Sequence, residues 1–321
     1  MELTQHQRDF LLKETDPSLR ERVLQDLLGR PTDDPQVLQA RREIGVTGWA
    51  ARLLDDQDPR GHWGAFRDNS QDLYVPKYVA ANWRLFVLCD LGVTAEDPRI
   101  ARATDLILTY WGRNEDGVFG QPGSELCITG NTVRMMLRFG RGSDPQVLRG
   151  IEWLVETQKP DGGWHCFPSE TGTLDCWEAL AAFAALPPSE RTERIQQSIQ
   201  RGAEFYLERG LLRERDGATY VPWHRLHYPV HYYYDLLVGL DTLTALGYGR
   251  DARLRPALEE LRTRQNPDGT WNIDAVHPDL MADDPYHPAA PLFPFLFEYP
   301  GVPSRWVTFL ALRVLQRAAV S

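Results

Sequence analysis

The sequence predicts an all-α fold, an α/α toroid in which an outer ring of helices encloses an inner ring, with about five to six helix pairs. Three observations predict it. A Gln-x-x-x-Gly-x-Trp element recurs at a long, regular period. Segments that are apolar nearly all round alternate with amphipathic segments, the pattern of buried and half-exposed helices. The period-two alternation of strands is almost absent. The 321 residues read as one domain, 1–321, with 1–45 forming N-terminal helices that open or flank the barrel.

Taken in chain order, the strict copies of the repeat are 57–63 (QDPRGHW), 158–164 (QKPDGGW) and 265–271 (QNPDGTW). Weaker copies fall between them at 113–119 (RNEDGVF) and around Asp216, Gly217 and Tyr220 (RERDGATY). Their glycines stand at 61, 117, 162, 217 and 269, spaced by 56, 45, 55 and 52 residues. Asp161, Asp216 and Asp268, each just before a repeat glycine, are turn residues. Between the loops, 147–156 (VLRGIEWLVE), 195–208 and 254–262 (LRPALEELR) carry one apolar face and read as outer helices. By contrast, 176–186 (CWEALAAFAAL), 231–246 and 305–315 (RWVTFLALRVL) are apolar on most sides and read as inner helices, the last spanning 304–316.

Composition narrows the function. With 35 Lys and Arg against 45 Asp and Glu the net charge is −10, which excludes nucleic acid as the main partner. Hydrophobic residues at 42% and charged residues at 25% describe a globular chain, and 10 Trp, 12 Tyr and 12 Phe make it aromatic-rich. The N-terminus, MELTQHQRDFLLKETDPSLRERVLQ, has no apolar stretch of signal-peptide type. No window approaches the ~18 apolar residues of a membrane span. The four cysteines therefore read as thiols or ligands in a cytoplasmic protein, not as a disulfide framework. A phosphate-binding loop, a dinucleotide fingerprint and a nucleophile elbow are all missing from the sequence.

The Gln-x-x-x-Gly-x-Trp elements, over 57–271, resemble the repeat of squalene and oxidosqualene cyclases, protein prenyltransferase β subunits and related terpenoid cyclase-like proteins. The resemblance implies a structural role for the element. The Gln amide satisfies helix-end backbone groups, and the aromatic ring packs between neighbouring repeats. It does not fix the reaction. Protonation-initiated cyclases carry an Asp-x-Asp-Asp cluster, and this chain has none; Asp55, Asp56, Asp58, Asp283 and Asp284 read as solvated caps and turns.

A toroid gathers the starts of its inner helices around one cavity, so residues just after each loop are the candidates for chemistry. Cys127, Cys166, Cys176 and His231 fall there, and so does Asp175; Cys89, mid-helix, reads as a small buried hydrophobe. Zinc takes thiolate and imidazole ligands in a four-coordinate site, which makes Cys127, Cys166, Cys176 and His231 the expected ligand set. The prenyltransferase resemblance points the same way, since its zinc is held by an Asp and a Cys near one inner-helix start and a His on the next. Asp175 and Cys176 are adjacent here, not separated by one residue, so whether Asp175 replaces a Cys ligand stays open. The competing reading is packed thiols and a satisfied histidine.

The segment 223–235 (WHRLHYPVHYYYD) interleaves His224, His227 and His231 with aromatic rings, and Pro229 is expected to mark the first turn of a helix. That places His231, Tyr234 and Asp235 toward the cavity. Asp175, His227, Tyr234 and Asp235 are the catalytic candidates. Aromatic walls suit cationic intermediates, and Lys77, Arg134, Arg138 and Arg225 are available for a diphosphate. The expected function is a terpenoid cyclase- or prenyltransferase-like enzyme, zinc-assisted, acting on an isoprenoid-like or other hydrophobic small molecule. The alternative is a non-catalytic lipid- or peptide-binding toroid with a structural metal. A carbohydrate-cleaving toroid would need two facing carboxylates, and no convincing pair is present.

Overall fold

The computed structural model describes residues 2–112, 118–120, 125–275 and 297–320. They form α1 (Gln5–Leu12), α2 (Pro17–Arg22, continued by a π-helical turn at Val23–Leu27), α3 (Pro35–Glu43), α4 (Gly48–Leu54), α5 (Ala81–Asp90), α6 (Pro98–Trp111) and α7 (Leu126–Arg138). Then follow α8 (Pro145–Glu156), α9 (Glu178–Ala185), α10 (Glu193–Glu208), α11 (Leu236–Ala245), α12 (Arg255–Thr263) and α13 (Arg305–Val320). The fold is mostly helical. The one paired ladder among the described residues joins β1 (Trp271–Asn272) to β2 (Pro303–Ser304), antiparallel, with Trp271 opposite Ser304.

Several helix starts are written locally. α2, α3, α6 and α8 each open on Asp-Pro. Proline at the first helical position gives up no hydrogen bond, and the preceding carboxylate accepts an otherwise orphaned N–H. Asp144, for example, accepts from the Gln146 amide at 2.8 Å.

Burial separates two kinds of helix. Every residue of α5 from Ala81 to Cys89 is buried, and so is α9 from Glu178 to Phe183. α6 buries Ile100, Ala103, Thr104, Ile107 and Trp111, one helical face. The buried helices touch in chain order, α5 on α7, α7 on α9, α9 on α11 and α11 on α13. The series closes through α13 on the π-turn, α2 on α4 and α4 on α5. The amphipathic helices lie against them, α6 on α5, α8 on α7, α10 on α9 and α12 on α11.

The repeat loops are one structure used several times. In each, the residue after the Gln donates its amide to the carbonyl one past the Gly: Asp58 to His62, Lys159 to Gly163 and Asn266 to Thr270. The Gln Nε2 donates to the Gly carbonyl, at 3.3 Å from Gln57, 2.7 Å from Gln158 and 3.1 Å from Gln265. Gln57 and Gln158 also reach the next outer helix, at the Arg99 and Ser198 carbonyls. Gly162 has φ +92°, and a Cβ there would lie 2.4 Å from the Arg201 carbonyl oxygen, so only glycine fits. Trp63, Trp164 and Trp271 are each at most 1% exposed. The weak copy at 213–219 keeps the same turn, with Arg213 Nη1 donating to the Gly217 carbonyl in place of the Gln amide. Thr219 stands where the others have Trp, and Tyr220 is exposed. Of the copy at 113–119, residues 113–117 lie outside the described residues, as do Asp283 and Asp284; Phe119 is buried.

The N-terminal helix takes the place of a following outer helix for the last repeat. Gln7 Nε2 donates to the Gly269 carbonyl at 2.9 Å, and α1 packs on α13. Gln7→Ala is therefore expected to destabilise the fold by about 1 kcal/mol, the net worth of one such hydrogen bond. Denaturant titration of the variant checks this, and no shift in midpoint would contradict the closure.

One expected boundary is corrected. Residues 231–235 are not the start of a helix; α11 begins at Leu236, and Asp235 caps it by accepting the Val238 amide at 2.8 Å. His231 sits in the preceding loop with φ +47°.

Candidate metal centre and central cavity

Three cysteines from separate parts of the chain meet. Cys127 lies in the first turn of α7, Cys166 on the loop after Trp164, and Cys176 just before α9. Cys176 Sγ is 3.6 Å from Cys166 Sγ. Glu125, Cys127 and Cys166 place one ligand atom each within 4.8 Å of one another, with Cys127 Sγ 3.4 Å from Glu125 Oε2. The approach depends on Gly130. A Cβ there would come within 2.7 Å of the Glu178 Cβ, so glycine lets α7 and α9 touch and brings their first turns side by side.

The cluster has strong internal electrostatics. Hydrogen bonds from Cys127 and Cys176 hold the Cys166 thiolate down to a pKa of about 3. The same contacts, with burial, push the Cys127 and Cys176 thiols well up. Glu178, two residues beyond Cys176, is fully buried, and neither carboxyl oxygen has a hydrogen-bond partner among the described residues. Burial, and then the Cys166 charge, push its carboxyl well up.

The arrangement suits a thiophilic cation. Two sulfurs on a tetrahedral zinc with ~2.3 Å bonds stand about 3.8 Å apart, close to the separation between Cys166 and Cys176. His231 is not part of this group. Its ring packs on Tyr78 at 4.9 Å and Trp83 at 5.9 Å, and its carbonyl accepts from Asn131 Nδ2. The reason is the late start of α11, which leaves His231 on a loop turned toward α5. Burial raises the Asp175 carboxyl, which lies near enough to Cys166 for that charge to raise it further, and its Oδ1 accepts from Trp223 Nε1 at 2.7 Å.

A cavity of about 110 Å³ lies among the buried helices. Trp177, Tyr228, Trp306 and Phe309 supply aromatic wall. His227 and Asp235 also line it. Asp235 Oδ2 meets His227 Nδ1 at 2.7 Å and accepts the His227 amide at 3.0 Å. His227 Nε2 faces the Val230 carbonyl at 3.3 Å. Both ring nitrogens thus face acceptors, which an imidazolium satisfies and a neutral ring does not. Burial alone would lower the imidazole's pKa, but the Asp235 carboxylate outweighs it and the net shift is upward. Tyr234 points away, its hydroxyl donating to the Leu211 carbonyl at 2.8 Å. Of the four catalytic candidates, the fold brings His227 and Asp235 together at the cavity and leaves Asp175 and Tyr234 outside it.

This pair has a pH signature. A histidine whose folded pKa exceeds its unfolded value contributes stability that is fully present below about pH 6.5 and lost as pH rises through the raised value. The stability margin of the native protein over His227→Gln should therefore narrow as pH rises above about 6.5 in denaturant titrations. A margin that stays flat or widens would rule out the imidazolium.

Two site residues escaped sequence reasoning. Glu125 precedes α7 in a stretch with no repeat signature. Glu178 looks like an ordinary acidic first-turn residue, favourable at a helix N-terminus, and only the contact with Gly130 buries it.

No family model matches the chain. The terpene cyclase/mutase atnI from Arthrinium is 24% identical over 131 residues, covering 40% of this chain and 18% of that protein. The match thus spans less than a fifth of the curated relative's length. Among solved structures, a polysaccharide lyase superposes with a TM-score of 0.50 at 13% identity, covering 95% of this chain and 90% of the lyase. A protein from Actinoplanes gives 0.49 at 16% identity, with 98% of each chain covered. The type II terpene cyclase MstE from Scytonema, solved with its product merosterolic acid A, gives 0.33 at 16% identity, over 88% of this chain and 97% of MstE. The lyase likeness shows a shared helical fold and nothing of the reaction. Over those 131 residues the chain is distantly similar to a terpene cyclase. Among the described residues, no helix is long and apolar enough to cross a membrane.

Proposed function

From this distant similarity we propose that the chain is a single α/α toroid of two concentric helical rings. In this reading it is an enzyme of terpenoid cyclase or prenyltransferase type, acting on an isoprenoid-like or other hydrophobic molecule in the central cavity. The observation that carries the reading is the convergence of Cys127, Cys166 and Cys176 beside Glu125, next to Trp177 of the cavity wall. These four residues would hold a zinc ion, with Glu125 in the place expected of His231. Bound there, zinc would supply Lewis acidity or an activated thiolate or water.

The chain's own residues do the rest. The rings of Trp177, Tyr228, Trp306 and Phe309 exclude water and present π-faces on which positive charge is stabilised. His227 keeps a proton in the cavity wall, one N–H held by Asp235 and the other on the longer contact to Val230. Metal analysis of protein purified without added metal tests the reading. About one equivalent of zinc is expected per chain, lost from Cys166→Ser, and metal-free protein overturns it.

A further inference from the structure

The charges around the cavity do not balance. Arg313 is matched, forming a bidentate pair with Asp241 at 3.0 and 2.8 Å and a contact to Asp26 at 3.0 Å. Arg317 shares Asp241 at 3.0 Å, so two cations there face two carboxylates. Around Asp90 the ratio is different. Arg138 is 3.0 Å from Asp90 Oδ1, and Arg134 stands off at 3.6 Å from the same oxygen. Among the described residues, Arg22 donates to the Asp90 main-chain carbonyl, at 3.4 Å. Three guanidinium groups thus converge on Asp90, two on its carboxylate and one on its main-chain carbonyl, and all four side chains line the cavity.

Arg134 is the sharpest case. It is 6% exposed, its Nε has no partner among the described residues, and its guanidinium lies 5.3 Å over the Trp177 ring. The C-terminal ends of α5 and α7 add roughly half a negative charge each. Guanidinium groups still outnumber the carboxylates within ion-pair distance of this cluster, in a protein whose net charge is −10. A buried unpaired charge is costly unless something pairs it.

We propose that Arg22, Arg134 and Arg138 form an anion site in the cavity, and that the ligand is an amphiphile with a carboxylate or phosphate head and an apolar tail. This rests on the cavity being the substrate chamber. Arg138 lies eleven residues beyond Cys127 on α7, about 16 Å along the axis at 1.5 Å per residue. The head is therefore held far from the thiol cluster, and the tail runs along the aromatic wall.

Calorimetric titration with dodecyl phosphate, dodecanoate, dodecanol and inorganic phosphate, below micelle-forming concentrations, tests the proposal. At least one anionic amphiphile is expected to bind about tenfold or more tightly than dodecanol, and the tighter of the two identifies the head group. Arg134→Gln should erase that preference while leaving dodecanol binding unchanged. The more exposed Arg22→Gln should weaken it, and it guards against a folding defect in the first variant. Equal binding of dodecanol, a preference that survives both substitutions, or inorganic phosphate binding as tightly as dodecyl phosphate would overturn the site. Metal content is read separately, so failure of the zinc reading and failure of the anion site are distinguishable.

Discussion

Replacing Trp164 with alanine is expected to destabilise the protein by about 3–5 kcal/mol, the cost of removing a large buried aromatic ring, and to lower the melting temperature by about 10 °C. The ring is 0% exposed and meets Phe183 at 6.2 Å. Gly202 of α10 has no Cβ to spare, since one would lie 2.8 Å from the indole. The Nε1 group donates to the Leu154 carbonyl at 2.7 Å, as Trp271 does to Leu261 at 2.8 Å. Trp164→Phe should therefore cost about 1–3 kcal/mol, because it strands a buried carbonyl. Trp63→Phe should cost clearly less. At that loop Arg84 Nη1 has taken the equivalent Leu53 carbonyl at 2.8 Å, and the Trp63 Nε1 has no partner among the described residues. Thermal melts followed by circular dichroism decide the matter. Equal costs for the two Phe variants would refute the ordering, and a Trp164→Ala melt within about 2 °C of the native protein would refute the ring's role.

The second large effect concerns the metal. Cys166→Ser and Cys176→Ala are expected to lose zinc and to abolish turnover, whereas His231→Ala should keep its zinc, since that ring packs on Tyr78 and Trp83. The same cysteine variants should melt within a few degrees of the native protein, because the closed series of buried helices and the tryptophan loops hold the fold without help. A structural zinc would behave differently, since its binding free energy is coupled to folding and reaches about 10 kcal/mol or more. If the variants and the chelated protein lose about ten degrees or more, the metal is structural and the non-catalytic binding toroid becomes the better reading.

Local pattern was sufficient for the helix order, because periodicity and Asp-Pro starts are properties of short segments. It was also sufficient for the repeat loops. A Gly at positive φ, a Gln four residues before it and a Trp two residues after are a self-contained turn that folds alike wherever it occurs. The three cysteines were legible because each stands at an inner-helix start or on the loop beside one. Contacts across the molecule decided the rest. The sequence pattern points His231 into the site, but its helix begins five residues later than that pattern suggests, and side-chain direction depends on where a helix begins. Glu125 and Glu178 acquired their places only when Gly130 let α7 and α9 meet. Asp175 and Tyr234 were held outside the cavity by Trp223 and Leu211, partners 48 and 23 residues distant. The arginines of the cluster come from α2 and α7 and gather around Asp90 in α5. Charge excess is a property of the assembled cavity, because it depends on which side chains share a small volume at low dielectric, and no one-dimensional pattern records that.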